Sequence, residues 1–501
     1  MAASILGKVF IFLSILSIIS NAHLQSKERG FISVSISEKG LDFLKNLLIG
    51  KAISTLTPLE LSPIEETVRI RLVGKVDISL SNIVIYHIDV PSSDIELGDS
   101  GITITGSGAT ANLSMDWKYT YKNWFIEVSD SGKASVQVED MEVGMTVSLT
   151  KPGENLELSL LESRCDVGDI DIKVDGGASW LYQGLVDAFG NHIETAVQDA
   201  ILKKLSAGIS KIDSLLRSLP TEIKVDDTSA LNVTFVSDPI LSDSFIDFVI
   251  NGLFVPRHKA LVSPNRHQIS KASARCYNPA KMIAISLHED VFNSASSVYF
   301  NAGLMWWKID KIPHQPLLNT TEWKEVVPQL YEEYPNDGMA LNISVTSPPL
   351  VHISDGQMEA TIYADVVIDV LDDVQVVPVA CISLVMSASG SAEISGNNLT
   401  ANVKLDDFSL SAKWSNIGDL QISVIEPIIS EVLNDGLLPE LNSHLMSGFP
   451  LPLIHGFSLQ NAEVDYSDST ITVCSDVAYR EDNEILKKFS FSNIFAFHMV
   501  R

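Results

Sequence analysis

A long amphipathic helix that ends at a proline and runs into an alternating, strand-like segment occurs twice in this chain. In the first copy (179–219), Leu181, Leu185, Phe189, Ile193, Val197, Ile201, Leu205, Ile209, Ile212 and Leu216 recur at three- and four-residue steps. Opposite them lie Glu194, Gln198, Asp199, Lys203, Lys211 and Arg217, which leaves one apolar stripe and one wet face. This copy leaves through Pro220. The second carries Val424, Ile425, Ile428, Ile429, Val432, Leu433, Leu437, Leu441 and Leu445 and leaves through Pro450. The two prolines are 230 residues apart (450 − 220), about half of the chain. A duplicated unit of that size predicts two similar domains, and 501 residues are too many for one hydrophobic core.

Most of the rest reads as strand. Residues 31–36, 68–72, 76–80, 102–104 and 134–138 alternate apolar and polar, as strands do when one sheet face is buried and the other is wet. Ser37 caps a short helix over 38–48, with Leu41, Phe43, Leu44, Leu47 and Leu48 near one face. In the second half a helix-compatible stretch at 289–303 is followed by strands near 340–345, 360–370, 380–389 and 399–410. The pattern predicts an α+β chain: an N-terminal domain over 28–255, a proline-containing linker over 256–280, a C-terminal domain over 281–480 and a dissimilar tail over 481–501. A helix standing off a curved antiparallel sheet encloses an elongated apolar cavity; one lying flat on it makes an ordinary filled core.

The first residues read as a secretory signal. Lys8 precedes an apolar run over 9–19, and Ser20-Asn21-Ala22 suits cleavage after Ala22. No later segment reaches eighteen uninterrupted apolar residues. Five Asn-x-Ser/Thr acceptors, at Asn112, Asn232, Asn319, Asn342 and Asn398, fit the same secreted route. Cys165, Cys276, Cys381 and Cys474 allow three pairings in an oxidising compartment, among which the sequence does not choose. A net charge of −28 argues against nucleic acid and against broad attachment to anionic membranes. Lipid binding would therefore rest on apolar burial.

No Gly-x-Ser-x-Gly elbow, His-Glu-x-x-His helix, phosphate-binding glycine loop or calcium loop occurs, and the carboxylates are scattered. The expectation is a non-enzyme without a metal or cofactor.

Residues 30–43, GFISVSISEKGLDF, resemble the opening of the bactericidal/permeability-increasing protein and lipopolysaccharide-binding protein (BPI/LBP) family. Val90-Pro91-Ser92-Ser93, Phe300-Asn301-Ala302-Gly303-Leu304, Ser415-Asn416-Ile417-Gly418 and Gly448-Phe449-Pro450-Leu451-Pro452 follow in family order. Together they cover roughly 28–480, and the chain looks most like plant members. The resemblance implies a boomerang of two barrel-and-helix domains joined by a central sheet, each with an apolar pocket for phospholipid acyl chains. Leu41, Leu181, Leu185, Phe189, Ile193, Val197 and Ile201 would line the first pocket, and Val424, Ile425, Ile428, Ile429 and Val432 the second. It also implies a lipopolysaccharide-binding tip. Of the family's two tip segments, the first (55–61) carries no positive charge here; the second is Trp117, Lys118, Tyr119, Tyr121, Lys122 and Trp124, with Asn112 just before it. Cys165 sits where one half of the family's disulfide belongs, but the facing helix position falls near Leu202. The implied function is a secreted lipid-binding protein for phospholipid and bacterial lipopolysaccharide, in transient membrane contact, serving innate defence. The alternative is a secreted interaction protein with filled cores that binds a receptor or wall component. Lysine-to-alanine changes at Lys118 and Lys122 separate endotoxin recognition from simple lipid carriage.

Overall fold

The computed structural model describes residues 30–480 apart from 71–73, 99–100, 123, 176–178, 258–273, 277, 279, 312–316 and 373–374. The signal and tail expectations therefore lie outside the described residues, as does most of the linker. In each half one sheet is wrapped along one long helix. The first half has an eight-stranded sheet dominated by Gly74–Asp89, Gly101–Lys122 and Glu127–Thr150; the second has a seven-stranded sheet dominated by Gln357–Leu371, Val376–Ser395 and Asn398–Ser415. Both are antiparallel and run as open curved sheets.

Helix α1 (Glu38–Leu56) begins where the Ser37 hydroxyl accepts from the Gly40 N–H, satisfying a donor that the first turn leaves open. Gly40 is required by close approach: a Cβ there would lie 2.4 Å from the Met282 carbonyl oxygen. Helix α2 (Ser179–Arg217) has 39 residues and is about 58 Å long. Its stripe of Phe189, Ile193, Val197 and Ile201 is buried against the first sheet. Helix α3 (Glu289–Asn301) starts at His288, whose ring nitrogen accepts from the Asp290 N–H. Between Trp306–Ile309 and Gly338–Val345 lies the short α4 (Pro328–Glu333).

The second long helix is not regular. It runs as α5 (Ile422–Glu431), a π-helical stretch (Val432–Leu437) and α6 (Leu438–Leu445). Pro439 has no N–H to donate and its ring crowds the carbonyl one turn back, so the backbone widens before it.

A six-stranded central sheet joins the halves in the order Ile240–Ser242, Phe245–Ile250, Ile32–Ser37, Ile283–His288, Thr470–Tyr479, Phe457–Ser467, three strands from each half. Its middle pair is self-complementary: Ile32 faces Leu287 and Ile36 faces Ile283. An offset of 251 residues relates the two strands (283 − 32), so Leu41 of α1 corresponds to Phe292 of α3. Around the sheet, Arg275 donates to Asp247 at 2.8 and 3.0 Å, Lys281 pairs with Glu463 at 2.7 Å, and Cys276 is bridged to Cys474 with a Cα–Cα distance of 5.7 Å. Cys165 and Cys381 are buried free thiols. Burial, with Asp166 adding, pushes the Cys165 thiol up to about 11, and Leu202 packs against the same core.

Candidate functional site

Where α1, α2, the first sheet and the central sheet meet, apolar side chains form a separate, smaller cluster. Leu41 of α1, Ile209 of α2 and Ile246 of the central sheet are buried there together with Ile102 and Val147. Around them, Ile95, Leu97, Ile104, Met145, Leu158 and Leu160 of the first sheet are only half-buried, as are Ile36, Ile212, Leu241 and Phe248. In the main core of the first half, by contrast, fully buried side chains outnumber partly buried ones. Apolar side chains that remain partly exposed have unspent burial energy. One wall is fixed by Lys45, itself buried: its Nζ reaches Asp42 Oδ1 at 2.8 Å and the Ser93 carbonyl at 3.0 Å, which holds α1 to strand Ser92–Gly98. No helix among the described residues is long and apolar enough to cross a membrane.

Of the residues the sequence assigns to pockets, Leu41 belongs to this cluster. Phe189, Ile193, Val197 and Ile201 lie one layer further along α2, inside the sheet-and-helix core. Phe189 and Ile193, with Trp117, Met115 and Leu80, border an apolar cavity of ≈ 20 Å³, about the room for a single water. The side chains of Leu181 and Leu185 lie outside the described residues. In the second half, Ile425, Ile429 and Val432 are buried, Ile428 packs against them, and Val424 is exposed. The outward position of Val424 corrects its assignment to a lining: it falls on the wet side of α5, one residue from Ile425. The strand residues of this cluster were not assigned to a pocket from sequence. Their signal is the pairs Ile95/Leu97, Ile102/Ile104 and Leu158/Leu160, spaced by two; it marks an inner sheet face without saying what covers it.

The tip assignment is also corrected in part. Trp117 and Tyr119 turn inward, 2% and 7% exposed, with Trp117 Nε1 donating to the Lys133 carbonyl. Strand alternation puts Lys118 outside, Tyr121 is half-buried, and Lys122 is exposed in an ion pair with Glu127 at 2.9 Å. The exposed apolar tip is the next turn: Trp124 is 87% exposed, and Phe125 and Ile126 follow it. Trp117→Ala should therefore cost about 3–5 kcal/mol of stability, whereas Lys118→Ala changes it by less than about 0.5 kcal/mol; urea melts of the two variants check this.

The acceptor asparagines differ in setting. The Asn342 amide nitrogen donates to buried Asp369 from mid-strand, and burial holds the Asp369 carboxyl above the usual carboxylate range. Asn232 folds its side-chain oxygen back onto Thr234, and Asn319 and Asn398 donate to the Asn336 and Ser447 carbonyls at 3.3 and 3.4 Å. Asn112 lies half-buried on strand Gly101–Lys122. In protein expressed through a secretory route, Asn342 should be the acceptor without a glycan, since a sugar there would displace the Asp369 contact. Glycosidase treatment in heavy-oxygen water, followed by peptide mapping, reads this directly.

Comparison with known proteins gives a consistent picture. The LBP / BPI / CETP family N-terminal domain matches residues 40–218, and the C-terminal domain of the same family matches 223–479. A BPI/LBP family protein of Arabidopsis thaliana is 49% identical over 480 residues, 95% of this chain and 98% of that one. The bactericidal permeability-increasing protein of Sebastes schlegelii is 26% identical, covering 89% of this chain and 95% of its own. The lipopolysaccharide-binding protein of Mus musculus is 22% identical over 89% and 92%. The crystal structure of lipopolysaccharide binding protein superposes with a TM-score of 0.62 over 90% of this chain and all of that one, at 18% identity, a likeness of fold.

Proposed function

Because the chain belongs to the LBP / BPI / CETP family and has that family's two-domain fold, we propose that it is a secreted, non-enzymatic lipid-binding protein that buries acyl chains in the cleft between α1, α2 and the first sheet. The observation that supports this reading is the set of half-buried apolar side chains gathered around Leu41, Ile209 and Ile246. Each methylene moved from water into such a site contributes about 0.8 kcal/mol, so a sixteen-carbon chain gives about 12 kcal/mol before ordering costs. Diacyl phospholipid is the proposed cargo, and lipopolysaccharide, through the acyl chains of lipid A, the proposed target in innate defence. The names of the relatives, lipopolysaccharide-binding and bactericidal permeability-increasing, support the second.

The proposed membrane contact is the hairpin turn carrying Trp124, Phe125 and Ile126. Aromatic and aliphatic side chains suit the headgroup boundary, and the net charge of −28 leaves apolar insertion as the driving force. Replacing the three with serine should reduce binding to phosphatidylcholine vesicles at least tenfold while leaving the melting temperature unchanged. Retained vesicle binding would remove the tip from the account. Lys118→Ala with Lys122→Ala tests endotoxin recognition: unchanged lipopolysaccharide affinity would show that these lysines take no part. To test the function itself, delipidated protein is titrated with a fluorescent diacyl phospholipid. Saturable uptake, competed by unlabelled phospholipid, is expected; a protein that takes up neither phospholipid nor lipopolysaccharide has ordinary filled cores and acts through its surface.

A further inference from the structure

We propose that the outer face of the second-half sheet binds an uncharged, linear polysaccharide of the cellulose type, independently of any lipid. Strand registers bring Trp306, Ser344, Asp365, Ser383 and Ser411 into one row across five adjacent strands. At the usual strand spacing the row is about 19 Å long. Its residues alternate with Ile309, Ile343, Val366 and Leu384, which are buried in the sheet-and-helix core, so they point away from that core. Tyr363 and Val385 stand opposite each other on one flank of the row, and Trp414, paired with Cys381, stands on the other. The rings are exposed: Trp306 by 59%, Tyr363 by 46% and Trp414 by 39%. Among the described residues, the corresponding long strands of the first half, Gly101–Lys122 and Glu127–Thr150, carry no exposed ring, since Trp117 and Tyr119 turn inward. Apolar groups gathered on an otherwise polar face mark a contact surface.

The charges on this face are already matched. Asp365 Oδ1 accepts from the Ser383 hydroxyl at 3.1 Å, and Oδ2 accepts from Lys413 Nζ at 2.6 Å. Further along, Lys308 offsets Asp369. A net charge of −28 repels an anionic polymer, and a cationic one finds the Asp365 charge balanced by Lys413. An uncharged, hydroxyl-rich chain complements what remains. The serine hydroxyls and the Asp365 carboxylate can exchange hydrogen bonds with sugar hydroxyls. The C–H faces of equatorially linked pyranose rings are flat and apolar, as are the faces of tryptophan and tyrosine. Asn342 lies two residues from Ser344 on the same face with its amide engaged by Asp369; a glycan there would cover the row.

Calorimetric titration of the full protein with cellohexaose tests this. Saturable binding is expected, weakened at least tenfold by Trp306→Ala with Trp414→Ala at an unchanged melting temperature. Trp306→Phe with Trp414→Phe keeps a ring at each position and should retain most of the affinity. Tyr363→Ser should weaken binding at least threefold, and it decides the matter if the alanine pair does not fold. No binding of cellohexaose by the unaltered protein would overturn the inference, as would equal affinity in the folded alanine pair or, where that pair does not fold, in Tyr363→Ser. Binding abolished by serine at Trp124, Phe125 and Ile126 would put the sugar at the tip and overturn it too. A dimer in sedimentation that dissociates in the alanine pair would assign the face to a second copy of the chain, with the same consequence. Phospholipid uptake should be unaltered in all these sheet variants, so lipid carriage and this inference fail separately.

Discussion

Introducing tryptophan at both Ile95 and Leu160 should weaken phospholipid retention about a hundredfold and leave the fold intact. Both side chains are half-buried against the apolar cluster of Leu41 and Ile209, so an indole at each position takes room that the proposed acyl chain would occupy. Displacing about four methylenes costs about 3 kcal/mol of binding, which is roughly two factors of ten. The melting temperature should move by no more than about 2 °C, because both positions are only half-buried. The same pair of changes at Ile193 and Val197, which are fully buried, would overpack the core and cost about 1–3 kcal/mol each. Competition binding and thermal melts on both pairs distinguish a lined cleft from a filled interior. Equal lipid affinity in the Ile95/Leu160 variant would remove the cleft from the account.

The second large effect is expected from the central sheet. Cys276 and Cys474 close a loop with a sequence separation of 198, and a loop of that size restricts the unfolded chain by about 5 kcal/mol in the chain-entropy view, with about 2–5 kcal/mol lost when native bridges are removed. Replacing both cysteines with serine should lower the melting temperature by on the order of 10 °C. Strands Ile32–Ser37, Ile283–His288 and Thr470–Tyr479 should lose amide protection first, since Cys474 belongs to the last of them and Cys276 borders Ala284 in the same small cluster. Unchanged melting and exchange would mean that Arg275–Asp247 and Lys281–Glu463 hold that region without the bridge.

The architecture was legible because its periodicities are local. The stripe from Phe189 to Ile201 gives α2, and alternation over 76–80 and 134–138 gives strands of the first sheet. Where the sequence reading failed, the deciding information was non-local or lay in backbone detail. The run from Trp117 to Trp124 looks like one aromatic tip, but a strand sends alternate residues to opposite faces. Trp117 and Tyr119 therefore join the core while Lys118 stays outside. The π-turn before Pro439 was readable in principle from the proline and was missed. The cysteine pairing depends on a contact between the segment ahead of Met282 and the last strand. The cleft is the hardest case. Its proposed lining comes from nine separate segments, and nothing in the sequence around Ile95 or Leu160 shows that these segments meet.

Photolabelling tests the central claim most directly. The protein is loaded with a phosphatidylcholine carrying a diazirine near the acyl terminus, irradiated and digested, and the modified residues are mapped. Labels are expected on strands Ser92–Gly98, Gly101–Lys122, Glu127–Thr150 and Glu157–Asp166 and on α2 near Ile209. Labels confined to the second half, or scattered over the outer surface, would contradict acyl-chain binding at this cluster.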